Sequence, residues 1–446
     1  MAITDAALEG EPSEGKGPPV RHVLAVALGN SLEFYDFLAF TYFSVQISHT
    51  FFPTASPFVA LMATLATFAV GFVGRPIGAV IIGLFADRVG RKPAMVASFA
   101  LMGFGMAGLA LTPSYHQIGA LAPGLAVAFR FIQGIALGGE LGPSTAYMIE
   151  AAPRKRRGLF VSFQYMGQDA SVLALGIVGE ILSLNLSDAE MDQFGWRIAL
   201  GLGLLIVPFG IALRGTLAET LTAEHKTQAP RTKSNANGFA LLATLAFITL
   251  ASGTIVSYTL TYLTTYAQDT LHMTTALAFW ATVVNGLVGV LIDPLGGWLS
   301  DRFGRKTVMI WPWLFLLIVV WPAFWALGQH RTALALSLAT LAISLPASIS
   351  SAANLVLITE SLPRRVRASS LAIVYAVAIT MFGGSTQFAV RGLMEVFKNP
   401  LTPAFYMMVA VAIGWVAMLF MKESAPVVLD RKAAASPSVR AATSLA

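Results

Sequence analysis

Cysteine is absent from the 446 residues, so disulfides and thiolate metal sites are excluded and the redox compartment leaves no mark on the chain. Charge is scarce too. Asp, Glu, Lys and Arg make up 12% of the sequence, against about 25% in ordinary soluble domains. The six histidines are scattered without ligand spacing. No HExxH-like run or nucleophile–base set stands out, so neither an enzyme nor a metal or other cofactor is expected, and no selectivity-filter loop argues for a channel.

What the chain has in excess is apolar length. Hydrophobic residues reach 56% and the mean hydropathy is +0.70. Runs of roughly 20 apolar residues, enough to cross a hydrocarbon core, fall near 22–48, 57–86, 93–112, 117–151, 156–184, 195–214, 238–268, 274–300, 307–328, 332–360, 367–394 and 401–421. Lengths of this order imply helices, because a barrel would show short alternating segments.

The net charge of +6 would raise a nucleic-acid surface in a soluble protein. The placement of the cations excludes it. With the N-terminus inside, all but six of the 29 Lys and Arg residues lie on the cytoplasmic side: Arg197, Arg331, Arg391 and Lys398 lie outside, and Arg75 and Arg130 lie within spans. This is the positive-inside asymmetry, and it puts both termini in the cytoplasm of a multi-pass protein of the bacterial inner membrane. The polar, Gly- and Pro-containing first 21 residues read as a disordered tail without a signal core.

Two charged loops occur twice. GLFADRVGRK (83–92) returns as GWLSDRFGRK (297–306), and EAAPRKRRG (150–158) returns as ESLPRRVRA (360–368). Each repeat recurs after six spans, on the same membrane face. The expectation is therefore an all-α membrane protein of twelve transmembrane helices in two pseudo-symmetric halves, 22–214 and 238–422, joined by a linker at 215–237 and flanked by tails at 1–21 and 423–446. Carboxylates at helix C-termini are unfavourable without a partner, so Asp87, Glu150, Asp301 and Glu360 are expected to pair with Arg88, Arg91, Arg302 and Arg305 as a cytoplasmic gate.

These motifs resemble the signature of the major facilitator superfamily. GNSLEFYDF in the first span, GRPIGAVIIGLFADRVGRK in the second, RFIQGIALGGELG in the fourth and GWR opening the sixth are similar to its metabolite:proton symporter branch. That branch includes carriers for citrate and related tricarboxylates, 2-oxoglutarate, shikimate, proline and betaine. The resemblance implies proton-coupled symport of a small organic anion by alternating access, with a zwitterionic osmolyte as the alternative. The expected partners are the solute, protons and the bilayer, with the protein acting as a monomer.

Ionisable groups in mid-membrane cost about 2.5–3.5 kcal/mol each even on lenient scales, and should face protein or water. Glu33 and Asp36 share a helix face in the first span with Asn30 one turn before them; two carboxyl groups so close cannot both ionise cheaply in a dry site, which marks them as proton carriers. Arg130, Gln133 and Glu140 form a stripe in the fourth span. Arg130 is the expected ligand of a substrate carboxylate, and Glu140 joins the proton-coupling set. Gln164 and Gln168 in the fifth span, Tyr262 in the seventh and Asn354 in the tenth complete the expected cavity lining. Arg75–Pro76 and Asp293–Pro294 read as structural or gating elements.

Overall fold

The computed structural model describes residues 28, 31, 34–89, 91–138, 148–149, 152–215, 236–362 and 367–435, and its described residues form helices joined by short turns without a β-strand. Helix α1 (34–42) bends at Phe43 into α2 (Ser44–Phe51). Then come α3 (Pro57–Val89), α4 (Arg91–Leu111), α5 (Leu121–Leu137), α6 (Arg157–Asn185) and α7 (Trp196–Gly215). The second half holds α8 (Ala236–Asp269), α9 (Thr275–Phe303), α10 (Arg305–His330), α11 (Ala333–Ser361), α12 (Arg367–Phe382), α13 (Ser385–Phe397) and α14 (Thr402–Phe420), and α15 (Pro426–Ala434) follows them.

Among the described residues a helix lies in each of the twelve expected span positions, in the first and fourth over part of the span. Eight segments among the described residues are long and apolar enough to cross a membrane by themselves, and Val96–Leu111 and Leu121–Leu137 are shorter apolar helices. The eleventh span is not one continuous helix as the hydropathy implied: α12 and α13 are separated at Gly383 and Gly384. Those glycines lie against Phe72 and Ala69 of α3, closer than a side chain would permit. Prolines lie inside helices at 76, 208, 294, 312, 322 and 346; at Pro76 the freed Phe72 carbonyl accepts from Thr380 of α12 at 3.4 Å.

Outward faces carry large exposed apolar side chains, among them Leu111, Ile181, Trp311, Ile318, Val396 and Phe420, as a lipid-facing surface requires. Inside, two apolar clusters form. One is built mainly on α1–α7 and also takes in Tyr258, Phe279 and Ile379; the other is built mainly on α8–α14 and also takes in Leu61, Leu65 and Val161. The most extensively packed helix pair, α6 with α9, bridges them. Glycines make that approach possible: a Cβ on Gly297 would stand 2.4 Å from the Gly158 carbonyl oxygen.

Helix ends are fastened where water begins. Thr274 and Thr332 cap α9 and α11 by accepting from the backbone N–H groups of Leu277 and Ala335. In the GWR motif, the Trp196 indole donates to Thr50 and to the Asp192 carbonyl, both at 3.2 Å. Arg197 donates to the carbonyls of Ala110 and Thr112, at 3.1 and 2.9 Å, where α4 ends. Beside them His49 lies 2.9 Å from an Asp192 carboxylate oxygen, which raises the affinity of the imidazole for its proton.

The second copy of the charged turn explains its own glycine. α9 stops at Phe303 and α10 starts at Arg305, with Gly304 alone between them at φ 106°, a conformation that L side chains avoid. Glu423 closes the new helix end by accepting from the backbone N–H groups of Arg305 and Lys306, both at 3.0 Å.

Candidate functional site

Within α5, Arg130 and Gln133 stand three residues apart and therefore on one face. Arg130 is fully buried. Its Nη1 donates to the Gln133 Oε1 at 2.8 Å and to the Phe37 carbonyl at 3.4 Å, and Gln133 Nε2 donates onward to Asp36 Oδ1 at 3.2 Å. Arginine and acid are thus joined through an amide. No direct Arg130–Asp36 ion pair is made.

Three aromatic faces pack on the guanidinium. Its carbon lies 4.5 Å from the Phe37 ring centre, 4.6 Å from Phe40 and 5.2 Å from Phe68, all within cation–π range. Its Nε and Nη2, and Oδ2 of Asp36, have no hydrogen-bond partner among the described residues. Nε and Nη2 form the edge of the guanidinium that takes a carboxylate in two parallel hydrogen bonds. Beside Nη2, Gly71 contributes no side chain.

Arg75 extends this cluster and was not foreseen as part of it. Its guanidinium carbon lies 4.4 Å from the Phe37 ring centre and 4.6 Å from Phe72. Tyr258, whose ring meets Phe72 edge-on at 5.4 Å, faces the same cation. Of the tyrosine stripe on α8, it is Tyr258 that reaches the charged centre. Tyr262 is buried in the apolar core of the second half, and Tyr266 donates to the Pro400 carbonyl at 3.0 Å. The excess of phenylalanine around position 37 was the available signal for the cage; what hid it was that four of its rings lie on two separate helices.

The other expected lining residues are spread more widely. Gln164 is buried and Gln168 partly buried on α6, and Ser171 of the same stripe bonds Ser31 of the first span, oxygen to oxygen at 2.9 Å. Asn354 is buried on α11 with its Oδ1 unpartnered among the described residues. Asn30, Glu33, Glu140 and Glu150, and the side chains of Asp87 and Arg91, lie outside the described residues.

The second copy of the charged turn forms a network. Buried Arg305 lies 2.6 Å from Asp301 and 3.5 Å from Glu360, and Arg157 of the first half reaches Glu360 at 3.3 Å. Asp301 accepts from the backbone N–H groups of Gly158 and Leu159, both at 2.9 Å. A carboxylate from one half thereby sits at the N-terminus of a helix in the other, where the dipole favours it. Ser424 donates to Glu360 at 2.7 Å. Arg157, Glu423 and Ser424 were missed because only the fold brings their segments here. Arg302 departs from its expected role: it is exposed and lies over Trp298, 5.3 Å from the ring centre. Arg88 is exposed as well.

The outer end is closed differently. Thr41 donates to Gln387 at 2.6 Å, Ser44 meets Thr265 at 3.0 Å and Gln46 donates to Gln268 at 2.9 Å. These neutral pairs are worth only about 1 kcal/mol each, so the charged network is the stronger clasp. Asp301→Asn is accordingly expected to loosen the inner seam. In the naturally cysteine-free chain, Ser162→Cys reports this directly, since Ser162 is buried against Gly297. Alkylation of that thiol should accelerate at least about five-fold in the Asp301→Asn background; an unchanged rate would remove Asp301 from the clasp.

Comparison with known proteins follows the same lines. A family model described as Major Facilitator Superfamily matches residues 34–386 and 245–442. The citrate-proton symporter of Klebsiella pneumoniae is 32% identical over 423 residues, 93% of this chain and 94% of the relative. The alpha-ketoglutarate permease of Escherichia coli (strain K12) is 33% identical over 384 residues, 84% of this chain and 87% of the relative. A crystal structure of a D-xylose-proton symporter superposes with a TM-score of 0.72 at 20% identity, covering 90% of this chain and 97% of that one, and shares the fold.

Proposed function

Because the chain belongs to the major facilitator superfamily, we propose that it is a proton-coupled symporter of small organic anions, di- and tricarboxylates of the citrate class. It works by alternating access in the bacterial inner membrane, with both termini cytoplasmic. The moving bodies are the halves 22–214 and 238–422, linked through 215–237, and one chain suffices.

The observation that carries the reading is the Nε–Nη2 edge of a fully buried arginine, which has no hydrogen-bond partner among the described residues. Guanidinium stays charged at any working pH, and a buried cation that makes no direct ion pair among the described residues is a strong attractor for a carboxylate. The names of two relatives, a citrate-proton symporter and an alpha-ketoglutarate permease, support the same solute class. The osmolyte alternative is less favoured, since the aromatic faces suited to a quaternary ammonium group already hold Arg75 and Arg130.

Coupling runs through the amide relay. Ionised Asp36 holds the Gln133 NH2 group and so keeps the Gln133 carbonyl oriented on Arg130. Protonation of Asp36 removes that charge from the site and leaves Arg130 as the attractive centre for the substrate anion. Proton and solute then travel together, and Glu33 and Glu140 belong to the same proton route. The ionic clasp of Asp301, Arg305, Glu360 and Arg157 breaks when the site opens inward.

Uptake by proteoliposomes tests this. Citrate or another polycarboxylate should accumulate under a proton gradient that is acidic outside the vesicle, while proline and betaine should not. Uptake indifferent to the gradient would refute coupling, and accumulation of betaine alone would refute the anion class.

A further inference from the structure

A second pair of acids sits outside the Arg130 cluster, in the seam between α6 and α9. Asp169 projects from α6 onto Gly289 of α9 so closely that a Cβ there would stand 1.9 Å from its Oδ2. One turn along α9, Asp293 is only 1% exposed. Its Oδ1 accepts from Ser351 of α11 at 3.1 Å, and its Oδ2 has no hydrogen-bond partner among the described residues. Gly289 and Asp293 stand four residues apart on one face of α9, so the Asp169 carboxyl group over Gly289 lies beside that of Asp293.

We propose that Asp169 and Asp293 together bind one proton across the seam, forming a proton site distinct from the Asp36 relay. Two carboxylates are acceptors only, so contact between them requires a hydrogen on one of the facing oxygens. Among the described residues the surroundings supply no alternative. The titratable groups around the pair are Tyr165 on α6, Tyr42 at the end of α1 and, next to Tyr165, Tyr375 on α12; α11 adds the hydroxyls of Ser348 and Ser351. None is a cation.

The step balances simply. Two separate carboxylates carry two negative charges; one proton bound between them gives a carboxylic acid hydrogen-bonded to a carboxylate, with one. Release of that proton sets two anions face to face in a poorly hydrated seam and drives α6 from α9. Proton occupancy thereby sets the strength of the longest contact between the halves. Asp169, which is partly exposed while Asp293 is sealed, provides the entry for the proton.

The proposal is tested without substrate or transport, so it stands or falls separately from the function proposed above. Leu173, one turn from Asp169 and packed on Gly286, is replaced by cysteine in the full-length protein in detergent. The rate of alkylation of Leu173→Cys is followed between about pH 5 and 8, beside Leu173→Cys with Asp293→Asn, whose thiol chemistry is the same. The native pair should show a rise at least about five-fold steeper than the Asp293→Asn background. A proton held by the folded pair and not by the unfolded chain also makes stability fall as pH rises. The melting temperature of the native protein should therefore decline over this range more than that of Asp169→Asn or Asp293→Asn. Infrared spectra should lose the same protonated carboxyl band in both single variants and keep it in Asp36→Asn. Identical alkylation profiles with and without Asp293, or a band lost only in Asp36→Asn, would overturn the shared proton.

Discussion

Replacing Arg130 by alanine should weaken binding of a carboxylate substrate by about 100-fold or more, the effect of leaving a buried anion without its charged partner. Arg130→Lys should not restore it. Lysine supplies charge, but not the Nε–Nη2 edge that the structure leaves open, nor the flat face that lies among the Phe37, Phe40 and Phe68 rings. Binding measured by calorimetry on purified, monodisperse protein separates this effect from misfolding, and a melting temperature on the same sample checks the cage. An Arg130→Lys protein with native affinity would show that the arginine has a structural task and that the carboxylate is bound elsewhere.

The second large effect is expected at Asp36. Asp36→Asn keeps the shape of the side chain and can still accept from Gln133 Nε2, so the relay to Arg130 persists in outline. What it cannot do is cycle a proton. Concentrative uptake should disappear, whereas exchange of labelled for unlabelled solute should continue. Each pH unit of drive supports about ten-fold accumulation per proton carried, so under a one-unit gradient the internal-to-external ratio should fall from about ten to about one. Retained accumulation in Asp36→Asn would place the coupling proton on another acid, and loss of exchange as well would make Asp36 part of the binding site.

Much of this arrangement was readable in the primary structure, and the parts that were not share a cause. The charged turn was legible because its features are local: a glycine between two helices, an acid at one helix end and cations beyond it. Its partners were not. Asp301 meets Gly158 and Leu159 from the other half, and Glu423 returns from beyond α14 to close α10. The stripe of Tyr258, Tyr262 and Tyr266 shows the same limit within one helix. Steps of four residues advance about 400°, so each tyrosine is turned about 40° and shifted about 6 Å from the last. That drift is enough for Tyr258 to face Arg75 while Tyr262 lies in the core of the second half.

Hydropathy by itself determined the all-helical, multi-pass fold and the short set of side chains too costly to leave in lipid, while charge asymmetry and internal repetition set the expectation of an orientation and of two halves. Those are properties of segments, and a segment carries them wherever it packs. Tertiary structure alone decided that Gln133 stands between Arg130 and Asp36, that Arg302 turns outward while Arg305 turns in, and that Asp169 lies over Gly289, one turn from Asp293. Such meetings depend on the rotation and depth of one rigid helix against another, which close packing across the whole interface sets and no single stretch of sequence encodes.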